Sequence, residues 1–466
     1  MKEPTTEVWA RDEFGQSELS DRRWRKRLVK VAATVARRPA GRVTEAISND
    51  AERQGAYGFL EDEEVTAKKV GQAMFEACAR RSAKEEFVFC AVDGTSLGLT
   101  DPQQGKGFGP IGVRSKQGRG LKVMNAMVLS PQGVPLGISS QRWWVRPERK
   151  RRKNRDSLPP EDKETHHWLK AMEQTREVMA KHAPTTRCWF QLDREGDAWP
   201  TLMAASEAGD WFTIRSARNR RVRSGGRRHP YLRDVLKAEK VKAKYSLEVR
   251  GTQKRKARTA TMEIRACTVT LDLRDKSTNK RFPLEVSVVQ ALERGTTPSD
   301  ERPIEWTLLT NRSIDTTAQM AEVIDGYSMR WRIEELHRTW KSGACRVEDT
   351  QLRSANAVMK WATILIAVSV RIERIKQLSR EQPSLPATEE FTPVEIRAAK
   401  LLYFDEYPKR KAPTSPPTMV EVTFWIAKLG GFTATPTSKA SPGSIVIARG
   451  LEVVRAAARA LQAVGK

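Results

Sequence analysis

Four residues of different chemistry recur between positions 327 and 341 at intervals of 3, 4 and 7: Tyr327, Arg330, Glu334 and Lys341. At ~100° per residue the last three fall within roughly 60° of Tyr327, so on one helix all four leave a single face over ~21 Å of axis. One carboxylate among cations and a phenol cannot hydrolyse anything by itself. A Glu that completes a metal site, flanked by Arg and Lys gripping a polyanion, is what phosphodiester chemistry needs. The same spacing also suits an ordinary solvated helix with Glu and Lys on its wet side. In both readings Trp331, Ile333, Leu336 and Trp340 form the buried side.

Two upstream segments deliver further acids. Phe87 to Val92 is an unbroken apolar run of the kind that forms a central strand, and it ends on Asp93; Arg187 to Leu192 repeats the arrangement and ends on Asp193. Each aspartate has a plain alternative: Asp93-Gly94 suits a hairpin turn, and Asp193-Arg194-Glu195 suits a helix cap. Lys122 to Leu129 and Val134 to Trp144 read as further strands, and Glu164 to Lys181 as a polar helix. Strands bearing acids followed by a helix bearing a third carboxylate describe an α/β fold with a ribonuclease H-like catalytic core.

The segment from Tyr327 to Lys341, with Trp331-Arg332-Ile333-Glu334-Glu335 inside it, resembles the tyrosine, arginine, glutamate and lysine signature of the bacterial cut-and-paste transposases of the Tn-five type, in the insertion-sequence-four family. Asp93-Gly-Thr-Ser-Leu97, Asp193-Arg-Glu-Gly-Asp197 and Gln54-Gly-Ala-Tyr-Gly-Phe-Leu60 also look like family segments. The resemblance implies that Asp93, Asp193 and Glu334 are the catalytic and metal-holding acids, with Asp93 bridging two Mg²⁺ ions ~4 Å apart, a role Mn²⁺ can fill. It implies DNA contacts from Tyr327, Arg330, Lys341 and Arg215, and a flipped base stacked on Trp306. Arg215 and Trp306 could equally be a surface arginine and a core aromatic. The resemblance further implies nicking at the element's ends, a hairpin intermediate, and joining of the 3′ hydroxyls to target DNA within a homodimeric synaptic complex.

Charge favours the same partner. The 466 residues hold 83 Lys and Arg against 57 Asp and Glu, a net charge of +26, which suits double-stranded DNA and gives salt-sensitive, sequence-independent attraction. The basic clusters run from Arg146 to Arg155, Arg215 to Arg228 and Lys237 to Arg258, with Lys409-Arg410-Lys411 beyond. The longest apolar run, Ala362 to Val370, is far short of the ~20 residues of a membrane span. No apolar leader follows Met1, so a cytoplasmic, nucleoid-associated protein without a membrane partner is expected. The 5 cysteines are odd in number and too far apart for zinc-finger pairs, which points to reduced, mostly buried thiols.

Three regions are expected: a helical DNA-end-recognition domain over 1–75, the catalytic domain over 76–378 with a β insertion at about 218–306, and a helical dimerisation domain over 379–466. In the first, Ser20 caps a helix whose Trp24, Leu28, Val31 and Val35 share one face beneath a basic surface, and a second helix begins near Asn49. Thr261 to Leu271 and Phe282 to Gln290 alternate as strands of the insertion. A long helix spans Ala355 to Gln377, Pro383 to Pro393 reads as a linker, and Leu451 to Val464 offers a partner face. Gly107 to Gly112 has dinucleotide-loop spacing, but Pro110 and the lack of a leading strand make it a plain loop, so no nucleotide cofactor is expected. His166-His167 has no partner at ligand spacing. Two other functions share these features: a stand-alone metal-dependent nuclease, which would not join cleaved ends, and a catalytically silent DNA-binding inhibitor, against which the intact acid trio argues.

Overall fold

The computed structural model describes residues 5–112, 118–148, 159–224, 230–249, 251, 255–295, 297–435 and 440–464. Parts of three basic clusters, at 149–155, 225–228 and 250 with 252–254, lie outside the described residues.

The middle of the chain builds one mixed α/β sheet. Strand β1 (Phe87–Gly98) lies inside it, antiparallel to β3 (Arg119–Leu129) on one side and parallel to β5 (Arg187–Leu192) on the other. Beyond β5 come β6 (Trp211–Arg215), parallel to it, and then β10 (Glu305–Thr310), antiparallel to β6. Outside β3, β4 (Pro135–Trp144) pairs antiparallel, as does the two-residue β2 (Gly109–Pro110), which puts part of the expected 107–112 loop into the sheet. This arrangement is consistent with a ribonuclease H-like core. The segment after β6 adds β9 (Arg281–Arg294), β8 (Arg258–Arg274) and β7 (Ala243–Val249) to the same sheet beyond β10. The apolar continuity of β1 has its cause in position: Val88, Cys90, Ala91 and Val92 are all fully buried, with helices over the sheet.

Strand β1 does not stop at its aspartate. Its parallel pairing with β5 ends at Val92 and Leu192, while its pairing with β3 continues from Asp93 opposite Asn125 to Gly98. Asp93 therefore marks the place where two neighbouring strands part, and the hairpin-turn alternative is excluded.

The signature segment is two helices, not one. α9 (Thr317–Met329) gives way to α10 (Trp331–Lys341) at Arg330, whose N–H bonds back to the Tyr327 carbonyl at 3.1 Å in a tightened turn. The break rotates Trp331 out of the expected buried row: it is 53 % exposed, while Ile333, Leu336 and Trp340 are fully buried. α9 settles closely onto β1 because Gly326 has no side chain; a Cβ there would lie 2.8 Å from the Phe89 ring.

α11 (Ala355–Glu381) is buried on nearly every side because it runs through the interior, and it takes Lys360, Arg371, Glu373 and Lys376 in with its apolar residues. It is long and apolar enough to cross a membrane, yet most of its apolar stretch is buried inside the protein. Trp361 on it donates to the Gly41 carbonyl at 2.7 Å, tying it to the N-terminal helices. Those are α1 (Thr5–Phe14), α2 (Arg22–Arg37), α3 (Val43–Ala46), α4 (Asp50–Glu61) and α5 (Ala67–Ser82). Asp21, rather than Ser20, caps α2 by accepting from the Arg23 N–H at 2.6 Å. Leu28, Val31 and Val35 are buried, and Trp24 meets Phe59 of α4 edge-on at 5.9 Å. The C-terminal α12 (Pro393–Glu406), α13 (Met419–Leu429) and α14 (Ser444–Val464) enclose a separate cluster including Phe391, Tyr403, Trp425, Ile426 and Leu451. The segment expected as a linker packs into that cluster: Ala387 and Phe391 are buried, and the Met419 N–H donates to the Leu385 carbonyl at 2.7 Å. Positions 75 and 378, drawn as boundaries from the sequence, fall inside α5 and α11.

Candidate active site

Because Val92 and Leu192 are the last paired residues of β1 and β5, Asp93 and Asp193 follow them side by side where the strands diverge. Adjacent strands lie ~4.8 Å apart, so both carboxyls are delivered to one edge. Asp193 turns at once into a short 3₁₀ helix, Arg194–Gly196, and its Oδ1 accepts from the Glu195 N–H at 2.8 Å. It is thus a cap and a neighbour of Asp93 together. Asp93 Oδ1 accepts from the Gly94 N–H at 3.0 Å.

α10 brings the third acid across β1. Its His337 places Nδ1 3.8 Å from Asp93 Oδ2, and Glu334 lies one turn before it. The consequence is electrostatic. Burial, the nearby charge of Asp193 and a smaller contribution from Glu334 push the Asp93 carboxyl up to about 7, against the opposing pull of Arg330. Arg330 answers the repulsion in part by donating through Nη2 to Glu334 Oε1 at 2.5 Å. Burial holds His337 neutral, with its value down at about 3.

Beside the acids lies a second group. Tyr327 is buried, its ring is 5.7 Å from the Arg330 guanidinium, and Trp306 of β10 meets it edge-on at 5.3 Å. Arg215, at the end of β6, donates through Nη2 to the Glu305 carbonyl at 2.8 Å. Burial lowers the value of Arg215 and raises that of Tyr327. The Tyr327 hydroxyl interacts with both guanidinium groups, while Arg215 Nε and Arg330 Nε are buried without a hydrogen-bond partner, so the two arginines keep donors to spare in this corner. Lys341 is apart from it, at the far end of α10, where Nζ is 3.5 Å from Glu348 Oε1. It shares that end with Lys122 of β3, whose ammonium is 5.8 Å from the centre of the Trp144 ring and is depressed by burial and by Arg146. Arg146, expected at a phosphate, is tied to Glu164 by two hydrogen bonds.

The structure therefore gathers Asp93, Asp193 and Glu334, and beside them Tyr327, Arg330, Arg215 and Trp306, while Lys341 stands at the margin. Among the described residues no three His, Cys, Asp or Glu side chains are already closed into a metal-holding set. The donor chemistry fits hard divalent cations all the same: all three groups offer oxygen, and burial and the neighbouring acids push Asp93 up to about 7, a cost that a cation would offset. His337 escaped the sequence reading. Its signal was its place three residues after Glu334, one turn along the same face.

Comparison with known families decides the class. A model of the transposase DNA-binding domain matches residues 6–65, and a model of the transposase DDE domain matches residues 198–371. The chain is a DDE transposase. The first match puts the DNA-binding domain of the transposase on α1 to α4, where the basic face of α2 lies. The second contains Glu334 together with Tyr327, Arg330, Lys341, Arg215 and Trp306, and begins just after Asp193. DNA is thus the partner of this transposase, and nuclease chemistry its class of reaction.

Proposed function

We propose that this transposase is of the Tn-five type: as a dimer it binds the ends of its element, nicks them, passes through a hairpin and joins the freed 3′ hydroxyls to target DNA. The observation that carries the reading is that the adjoining strands β1 and β5 deliver Asp93 and Asp193 to one edge of the sheet, with Glu334 of α10 near enough to add its charge at the buried Asp93 carboxyl. Asp93, Asp193 and Glu334 would hold two Mg²⁺ ions, which supply charge neutralisation at the scissile phosphate and help its attacking and leaving oxygens.

The remaining residues position DNA. Arg330 and Arg215 present their spare buried donors, with the Tyr327 hydroxyl between them, to a backbone phosphate beside the acids. Lys341 takes a more distant phosphate, exchanging Glu348 for it. Trp306, already packed against Tyr327, stacks on a base turned out of the helix as the hairpin forms, an interaction worth ~1–3 kcal/mol. The helices up to about residue 75 read the element's end, and those beyond about 379 pair two copies. The protein would act on cytoplasmic, nucleoid DNA.

The test is incubation of end-bearing DNA with Mg²⁺ and a circular target, comparing the native chain with Glu334→Gln. The native protein should nick the end and join it to the circle, and the variant should bind the end with native affinity and do neither. Cleavage without joining would instead mark a stand-alone nuclease.

A further inference from the structure

Behind Asp93 lies a buried run of amides and rings that the site described above does not use. Asn125 of β3, fully buried, sets Nδ2 3.0 Å from His337 Nε2. Its Oδ1 accepts from Gln141 Nε2 of β4 at 3.1 Å. Gln141 Oε1 in turn accepts from the Trp143 indole at 3.1 Å and from the Thr363 hydroxyl of α11 at 2.6 Å.

One end of this run fixes the polarity of the whole. An indole nitrogen can only donate, so the Gln141 atom that faces Trp143 is its oxygen and the one that faces Asn125 is its amide nitrogen. Asn125 then offers its oxygen to Gln141 and its NH₂ to His337. His337 Nε2 must accept, which leaves the single proton of a neutral imidazole on Nδ1. That nitrogen is the one 3.8 Å from Asp93 Oδ2. The distance exceeds a hydrogen bond, so the N–H acts on the carboxylate as a directed dipole.

We propose that His337 is a positioning residue for Asp93: the run from Trp143 through Gln141 and Asn125 locks its tautomer so that Nδ1–H aims at Oδ2. With Oδ1 already taking the Gly94 N–H, a donor on the other oxygen sets the plane of the carboxylate before any cation arrives. The proposal rests on the reading of Asp93 as a cation ligand, but the tautomer does not.

Two measurements on the full chain test it. In protein labelled with ¹⁵N-histidine, His337 is identified among 5 histidines as the resonance that disappears in His337→Gln. It should show a protonated Nδ1 and a bare Nε2; a proton on Nε2 overturns the proposal. Mn²⁺ binding, followed by electron paramagnetic resonance, is then compared between the native chain, His337→Asn and His337→Gln. Asn can place an amide near the position of Nδ1 and should bind within a few-fold of native. Gln reaches Asn125, so it keeps the internal link, but it offers Asp93 no donor and should bind about 10–100-fold more weakly. Equal affinity of the native and Gln proteins overturns the positioning role, whereas a native chain that binds no Mn²⁺ refutes the ligand reading of the acids and leaves the ring proton to decide the relay.

Discussion

Arg330 and Glu334 face each other one turn apart across the start of α10, with the guanidinium Nη2 2.5 Å from the carboxylate Oε1. The arginine is 9 % exposed and also faces Tyr327, so it holds the glutamate in a fixed position. Pairing of this kind orients an acid, and it competes for the same oxygens with any metal the acid is to hold.

Removing the competitor should separate two roles. For Arg330→Ala, Mn²⁺ affinity of the DNA-free protein is expected to rise, because Glu334 is released and a positive charge leaves the site. DNA affinity should fall about tenfold, the loss of one charge-assisted hydrogen bond of roughly 1.5 kcal/mol. Metal titration and gel shift at fixed salt check both; weaker Mn²⁺ binding would contradict the competition.

Asp93 gives a stability profile with a defined sign. Its folded value of about 7 lies above its ordinary 3.8, so the folded protein keeps a proton that the unfolded chain releases. Stability is therefore lost as pH rises from about 4 towards 7, and the whole cost is present above 7. Asp93→Asn should match the native melting temperature near pH 4 and exceed it at pH 8. The upper bound is about 4 kcal/mol, and the real gain is smaller because the carboxyl retains 16 % exposure. Added Mg²⁺ should raise the native melting temperature at pH 8, scarcely at pH 5, and not in Asp93→Asn.

The acids of this site were legible because strands and helices impose periods. The runs before Asp93 and Asp193 read as strands ending on acids, and the intervals among Tyr327, Arg330, Glu334 and Lys341 read as one helical face, which the break at Arg330 divides between two helices. What was hidden came from tertiary packing. The break at Arg330 cannot be seen in spacing, so Trp331 was placed inside although it lies largely in solvent. The continuation of β1 past Asp93 depends on β3 outlasting β5 as its partner, a fact of pairing rather than of composition. Asn125 and Gln141 resemble any polar residue in a strand, and only the packing of α10 and α11 against β1 and β4 makes them a relay.

The basic face of α2 should set the salt dependence of DNA binding. Arg22, Arg25 and Lys26 are exposed, while Arg23 is paired with Asp21 at 2.8 Å. Replacing the three with Ala should weaken end binding at low salt and flatten the plot of log affinity against log salt by about 0.9 for each phosphate no longer neutralised. The Arg23→Ala protein should change that slope less. Fluorescence anisotropy across a salt series decides it, and an unchanged slope in the triple variant would take α2 off the DNA.

The most direct test of the account is calorimetric titration of Mn²⁺ into the native chain and into Asp93→Asn, Asp193→Asn and Glu334→Gln, with folding verified by melting. The account predicts two ions bound by the native protein, with each substitution abolishing one or weakening binding at least tenfold. Native stoichiometry and affinity in all three variants would show that these carboxylates, close as they are, do not share a metal site.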